Sequence, residues 1–330
     1  MLLIPLIAMM PAGQTIQTND WVVYEPVKPN GKHIVFLAGD EEYRSEEALP
    51  QLAKILSARH GFKCTVLFSI NKSGEIDPDV RDNQPGLENL KTADLVVMAL
   101  RFRQWPDEQM KHFDDYVNSG KPIIALRTST HAFDLKQGPY ERYGWQSKTW
   151  PGGFGKQVLG ETWISHWGEH GKQGTRGAVE PKYTNHPVFN GVDSVFGTTD
   201  VYEAHPTGQI EILMRGEVLA GMGLNDSAAT GKKTTSLGNE QGVNDPMMPI
   251  VWVRDYKSGT ALVCTMGAAT DFLNEGLRRL VVNAAHWFTV YDVPKRADVA
   301  LVGEYKPSNF GFGGFKKGVK PSDLAAKPVR

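Results

Sequence analysis

The feature that most constrains this chain is an alternation near its start. Four short apolar runs, His33–Ala38, Lys63–Phe68, Asp94–Leu100 and Ile123–Leu126, are separated by stretches with helical patterning. Ile123–Leu126 is too short for a helix, is half β-branched, and follows the helix stop Gly120-Lys121-Pro122. Ser45-Glu46-Glu47 opens a helix with Leu49, Leu52 and Leu56 on one face, and Gly61 ends it. A short helix is expected around Leu87 and Leu90. Pro106 starts another, with Met110, Phe113 and Val117 inward and Gly120 as its cap. Strands alternating with helices in this way predict a doubly wound α/β fold on a mainly parallel sheet with right-handed crossovers. Ligands of such sheets bind at the carboxyl ends of the strands. The loops there carry Asp40, Glu41, Glu42, Tyr43 and Arg44, then Arg101 and Arg103, then Arg127, Thr128, Ser129, Thr130 and His131.

Periodicity is lost between about residues 133 and 195, where Gly, Trp and His accumulate. A structureless stretch of that length is rare without a function, so we expect an insertion that roofs the crevice. Regular structure returns at Glu211–Leu219, Pro249–Arg254 and Thr260–Met266, with a hairpin-like turn at Lys257 to Gly259, and ends in a helix over Asn274–Phe288. Residues 293–330 are rich in Gly, Lys and Pro and are expected to wrap the surface or to be partly disordered. Residues 1–13 form a short apolar run closing on Pro11-Ala12-Gly13. It is too short to span a bilayer and resembles the core of an export signal without its basic start. With 330 residues and 41% hydrophobic composition, the chain can bury a large core. A net charge of -1 gives no electrostatic reason to expect nucleic acid or an anionic membrane surface. Cys64 and Cys264 each lie in an apolar strand-like run and are expected to be buried and reduced.

Taken together, Gly39-Asp-Glu-Glu-Tyr-Arg-Ser-Glu-Glu47, the strand ending in Arg127-Thr-Ser-Thr-His131, Leu159-Gly160 followed by His166, Asn185-His-Pro187, Arg254 to Gly259, Thr265-Met-Gly267 and Arg278-Arg-Leu-Val-Val-Asn283 resemble the ThuA-like (trehalose utilisation) family over residues 30–292. That family is similar in fold to class I glutamine amidotransferases, a flavodoxin-like sheet with a nucleophile elbow. The resemblance implies carbohydrate metabolism, on disaccharides that a sugar dehydrogenase has oxidised to 3-keto forms. Amidotransferases carry a Cys at the elbow tip, polarised by a late His and Glu. Here the tip is Arg127, which cannot be a nucleophile, and Thr265–Asp271 has no His. Many ThuA-like proteins carry His at both places, so this chain is a divergent member and not a glutamine amidotransferase.

Arg127, flanked by Arg101 and Arg103, is suited to hold the oxygens of a keto sugar as it becomes an enediolate. Its structural alternative is an ion pair with Asp40, Glu41 or Glu42. A Glu of the first loop (Glu41 or Glu42) or a crevice histidine (His131 or His166) is the candidate base. Tyr43, Arg44, Arg101, Arg103, Thr128, Ser129, Trp167, Tyr202, Glu203, His205 and Asp271 are candidates for substrate binding. A divalent metal is a candidate cofactor, with His131, His166 and His170 as its ligands, although Gly168 and Gly171 argue against a helical zinc motif. Among the loop aromatics, Trp105, Trp145, Trp150, Trp163 and Trp167 are suited to stack on pyranose faces, or else merely cover the roof's own core. The two resulting readings are an exported isomerase, lyase or hydrolase of (3-keto-)glycosides, and a non-catalytic carbohydrate-binding module that has lost its nucleophile.

Overall fold

The computed structural model describes residues 20–257, 259–290 and 292–325. The expected export signal at residues 1–13 lies outside the described residues. In chain order the strands are β1 (Trp21–Tyr24), β2 (His33–Gly39), β3 (Lys63–Phe68), β4 (Leu95–Leu100), β5 (Ile123–Leu126), β6 (Thr175–Val179), β7 (Phe196–Gly197), β8 (Ile210–Val218), β9 (Lys232–Thr234), β10 (Glu240–Gly242), β11 (Met248–Tyr256) and β12 (Gly259–Cys264). The α-helices are α1 (Ser45–His60), α2 (Asp107–Asn118) and α3 (Glu275–Thr289).

One sheet has the order β1-β3-β2-β4-β5-β12-β11-β8-β6-β7, and β9 and β10 form a separate pair. The five central strands β3, β2, β4, β5 and β12 run parallel. Strand β1 and the β11-β8-β6-β7 flank are antiparallel. The central strands are largely apolar, as suits a sheet covered on both faces. Ile34, Phe36, Val97, Ile124 and Leu262 pack on the α1/α3 side, while their neighbours Val35, Leu37, Val96, Ile123 and Val263 pack on the α2 side. Both cysteines are free and buried, in β3 and β12. Among the described residues no helix is long and apolar enough to cross a membrane.

One expectation needs correction. The 133–195 stretch is not only a roof, because its β6 pairs with β8 and extends the sheet. Thr175-Arg-Gly-Ala-Val179 carries no alternation because four of its five residues are half-buried. Its Gly177 leaves room for Met214 Sδ and Val195 Cβ, which a Cβ there would meet at 2.5 and 3.0 Å. Of the two alternatives for the C-terminal segment, its described residues take the first, wrapping the surface as a strap that runs along α1 to the carboxyl ends of the strands. Ser308 donates through its N–H and Oγ to Glu47 (2.6 and 2.8 Å), Tyr305 donates to the Ala269 carbonyl (2.7 Å), and the Gly311 N–H donates to the Glu42 carbonyl (2.7 Å).

Candidate functional site

At the carboxyl end of β5 the backbone turns sharply, and Arg127 adopts a left-handed conformation (φ 44°) at the tip. The bend fits beneath Gly267, where a Cβ would meet the Leu126 Cβ at 3.0 Å. The elbow is the one expected, but its side chain is enclosed at 1% exposure. Arg127 Nη1 donates to the Asp200 and Thr265 carbonyls (2.7 and 2.8 Å), and Nη2 donates to Asp200 Oδ1 (2.8 Å) and Tyr43 Oη (3.1 Å). The guanidinium lies 3.8 Å from the ring centroid of Tyr202 and 4.6 Å from that of Tyr43. Both terminal nitrogens are therefore committed to the protein, which removes Arg127 from the groups available to a substrate oxyanion. Its acidic partner is Asp200, not Asp40, Glu41 or Glu42.

The first-loop acids are divided among other partners. Glu41 is buried and receives Arg81 (2.9 Å), Arg101 (2.6 Å) and Arg103 (2.7 Å), so it is a structural anion rather than a base. Arg103 is likewise used up, by Glu41, Ser69 and the carbonyls of Pro78, Val80 and Arg101. Asp40 ties the loop to the elbow: it accepts the N–H groups of Glu42 and Tyr43 (2.8 and 3.0 Å) and the Thr128 hydroxyl. Ser129 spans to β4 through the Met98 carbonyl (3.0 Å). Arg44 is buried and donates to the Glu41 and Gly311 carbonyls, so the strap takes the place a substrate was expected to fill. Thr128, Ser129, Arg44 and Arg103 thus build the crevice without lining it.

Glu42 and the histidines behave differently. Glu42 Oε1 lies 3.3 Å from His170 Nε2, and Oε2 lies 3.5 Å from Arg101 Nε. Burial and then Asp40 push its carboxyl above the usual range, against Arg101 and His170. His170 Nδ1 faces Asp200 Oδ1 at 3.2 Å, and His166 Nδ1 faces Asp200 Oδ2 at 2.8 Å. Because a carboxylate only accepts, these contacts place the His166 proton on Nδ1. Burial opposes ionisation of Asp200, but the Arg127 charge and the bonds from His166 and His170 hold its carboxyl well below the usual carboxylate range. The Asp200 bond, more than the opposing burial, raises His170 above its ordinary value. The ligand atoms of His166, His170 and Asp200 all lie within 4.8 Å of one another. His131, the third expected ligand, is not in this group, and Asp200 stands in its place.

His131 is a separate element of the crevice. It is 3% exposed, its Nδ1 is 3.2 Å from the Thr130 hydroxyl, and its Nε2 makes no hydrogen bond to the described residues. Burial, followed by the charges of Arg101 and Arg127, lowers its pKa well below the ordinary value, which keeps the ring neutral. Trp163 stands 5.7 Å from His131 and 5.9 Å from His166, and Tyr202 bridges the same two rings at 6.5 and 5.6 Å. Phe102 packs on His131 (4.9 Å) and carries Trp145 behind it (5.4 Å).

Several expected residues sit elsewhere. Trp167 is buried with its indole N–H on the Val243 carbonyl, Trp105 packs into the α2 core, and Trp150 packs on Tyr143, so only Trp145 and Trp163 reach this region. The Asp271 carboxylate is consumed by the Thr199 hydroxyl and the N–H groups of Thr199, Gly267 and Ala268. Glu203 accepts from Ser165, Ser236 and His205, while the His205 N–H is bound by Glu161, forming a network of their own. Sequence reasoning missed Asp200 and Phe310. The Phe310 ring lies 5.4 Å from both Tyr43 and His170, and Phe312 covers Arg101 at 4.9 Å. Asp200 had no signal beyond standing two residues before Tyr202. Phe310 was hidden in a segment whose composition suggests disorder.

The fold and the elbow define a flavodoxin-like protein of the glutamine amidotransferase-like class whose tip holds an arginine. The profile of the ThuA (trehalose utilisation) family matches residues 32–288, and the chain belongs to that family. It is similar in structure to a ThuA-like protein from Parabacteroides merdae (15% identity, 91% of this chain and 100% of that chain, TM-score 0.50). A ThuA-like protein from Bacteroides uniformis is also similar (17% identity, 79% of this chain and 92% of that chain, TM-score 0.45). No curated protein matches the sequence.

Proposed function

We propose that the protein is an enzyme that removes a proton from the carbon beside the carbonyl of a (3-keto-)glycoside. The family gives a carbohydrate-related role. The observation that carries the finer reading is His131, a buried neutral imidazole with an unbonded Nε2, across Trp163 and Tyr202 from the histidine pair anchored on Asp200. A sugar between them would stack on Trp163. His131 Nε2 takes the proton, the C–H electron pair becomes the C=C bond of an enediolate, and the carbonyl oxygen takes the negative charge. His166 and His170 form the pole that faces this oxygen, the part expected of Arg127. The carbonyl substrate would come from a sugar dehydrogenase. The apolar start of the chain supports export, which N-terminal sequencing of the mature protein from its host tests.

The test is hydrogen–deuterium exchange and turnover of 3-keto trehalose and 3-keto sucrose, followed by NMR. His131→Gln should lower either rate by on the order of 10²–10⁴ while the fold survives. Absence of exchange and turnover, with a melting temperature still raised by sugar, would favour the non-catalytic binding module. The enclosure of Arg127 supports that second reading in one respect, because it leaves the elbow tip with no reactive group.

A further inference from the structure

We propose that His166, His170 and Asp200 form a site for one divalent transition cation that opens on the crevice. The use of such a cation rests on the catalytic reading above, whereas its binding does not.

The three donors come together through local structure built for the purpose. The Trp167 and Gly168 N–H groups both donate to the Val201 carbonyl (2.8 and 3.0 Å), which pins the histidine loop to the irregular segment bearing Asp200. Gly168 allows this approach, since a Cβ there would meet the Asp200 Cβ at 3.1 Å and the Val201 nitrogen at 3.3 Å. Gly171, in the left-handed region (φ 71°), turns the loop immediately after His170. Both rings are thereby aimed at one carboxylate, and their centroids lie 4.7 Å apart.

Asp200 is oriented from behind. Arg127 fixes Oδ1 and the backbone carbonyl, while Oδ2 is bonded only by His166, as expected of a ligand held by an outer partner. Arg127 lessens the attraction for a cation, and the Glu42 carboxyl, 3.3 Å from His170 Nε2, is the acidic group that borders the site on its other side. Two imidazoles and one carboxylate suit zinc, cobalt, iron or manganese, and not the all-oxygen preferences of calcium or magnesium. Three protein ligands leave positions open, as in catalytic sites. Those positions would face the crevice, because His166 and His170 keep 35% side-chain exposure while Asp200 has none. A bound cation would draw the sugar carbonyl oxygen and polarise it.

The full-length protein, stripped with a chelator, is titrated with Co²⁺ and followed by visible absorption, with calorimetry in parallel. The expected result is one equivalent with bands distinct from those of aqueous cobalt. Affinity should fall by on the order of 10² in His166→Ala and in His170→Ala, and stay unchanged in His205→Ala. Both substituted side chains are part-exposed, and circular dichroism confirms that the variants fold. A spectrum identical to that of free cobalt overturns the proposal, as does equal binding by the double His166→Ala/His170→Ala variant. Turnover is measured separately. Turnover by cobalt-refractory protein ends the cation and spares the enzyme reading, while cobalt binding without turnover does the reverse.

Discussion

Arg127→Met is expected to destabilise the protein strongly. The substitution removes the guanidinium donors from Asp200 Oδ1, from the carbonyls of Asp200 and Thr265 and from the Tyr43 hydroxyl, in a place with no side-chain exposure, and leaves the Asp200 carboxylate only the bonds from His166 and His170. Removing one partner of such a buried pair costs about 3–5 kcal/mol. At an unfolding entropy of about 2.1 cal/mol/K per residue, the chain of 330 residues carries about 0.7 kcal/mol/K, so the melting temperature should fall by roughly 4–7 °C. Arg127→Lys keeps the charge but lacks the fork that reaches two carbonyls and a carboxylate together, and should lie between the wild type and the Met variant. Thermal unfolding followed by circular dichroism gives these values. A cycle with Asp200→Asn isolates the pair, with an expected coupling of about 1–3 kcal/mol. A Met variant melting within about 1 °C of the wild type, or a coupling near zero, refutes the structural assignment of Arg127.

Other perturbations are equally specific. The Glu46 carboxylate has no hydrogen-bond partner among the described residues, and burial pushes it from 4.5 up to about 8. The folded state therefore keeps this proton after the unfolded state has released it, so stability falls as pH rises from about 4.5 to 8 and stays low above that. Glu46→Gln should be nearly neutral near pH 4.5 and stabilising by a few kcal/mol above pH 8; denaturant melts at both pH values that coincide would contradict this. Asp271→Ala strands the Thr199 hydroxyl and three backbone N–H groups, and urea unfolding should show a loss of about 2–3 kcal/mol without a change in sugar affinity. Phe310→Ala opens the strap over Tyr43 and His170 and should raise KM several-fold with kcat held, whereas unchanged steady-state kinetics would place the strap outside the site.

The central fold was legible because its strands are buried on both faces and its helices carry clear stop signals. His33–Gly39 and Leu95–Leu100 are buried throughout, so no alternation had to be interpreted. Gly61 closes α1 in a left-handed cap, donating to the Leu56 and Ser57 carbonyls, as its position suggests. Strand β6 was not legible: its place comes from β8 beside it rather than from its own pattern. Nor was the course of the strap, because it docks through backbone groups, the hydroxyls of Ser308 and Tyr305 and the rings of Phe310 and Phe312, scattered contacts that leave no pattern in composition.

For the site, the strand-end rule located the polar groups but could not pair them. Four arginines and three acids in adjacent loops admit many pairings, and the one adopted depends on the depth of each side chain. Arg101 and Arg103 leave the end of β4 beside the first loop and reach Glu41, whose carboxylate also takes Arg81 from a third segment. Arg127 leaves the tip of a bend one strand further on, under Tyr43 and Tyr202, where its fork cannot be hydrated. A guanidinium in that position needs acceptors for its two terminal nitrogens. The Asp200 backbone and side chain and the Thr265 carbonyl supply them, from segments far along the chain. Arg127 thereby fixes Asp200, whose carboxylate faces both histidines, His170 at Oδ1 and His166 at Oδ2. The residue at the nucleophile's place in the fold therefore positions the acid that organises the site.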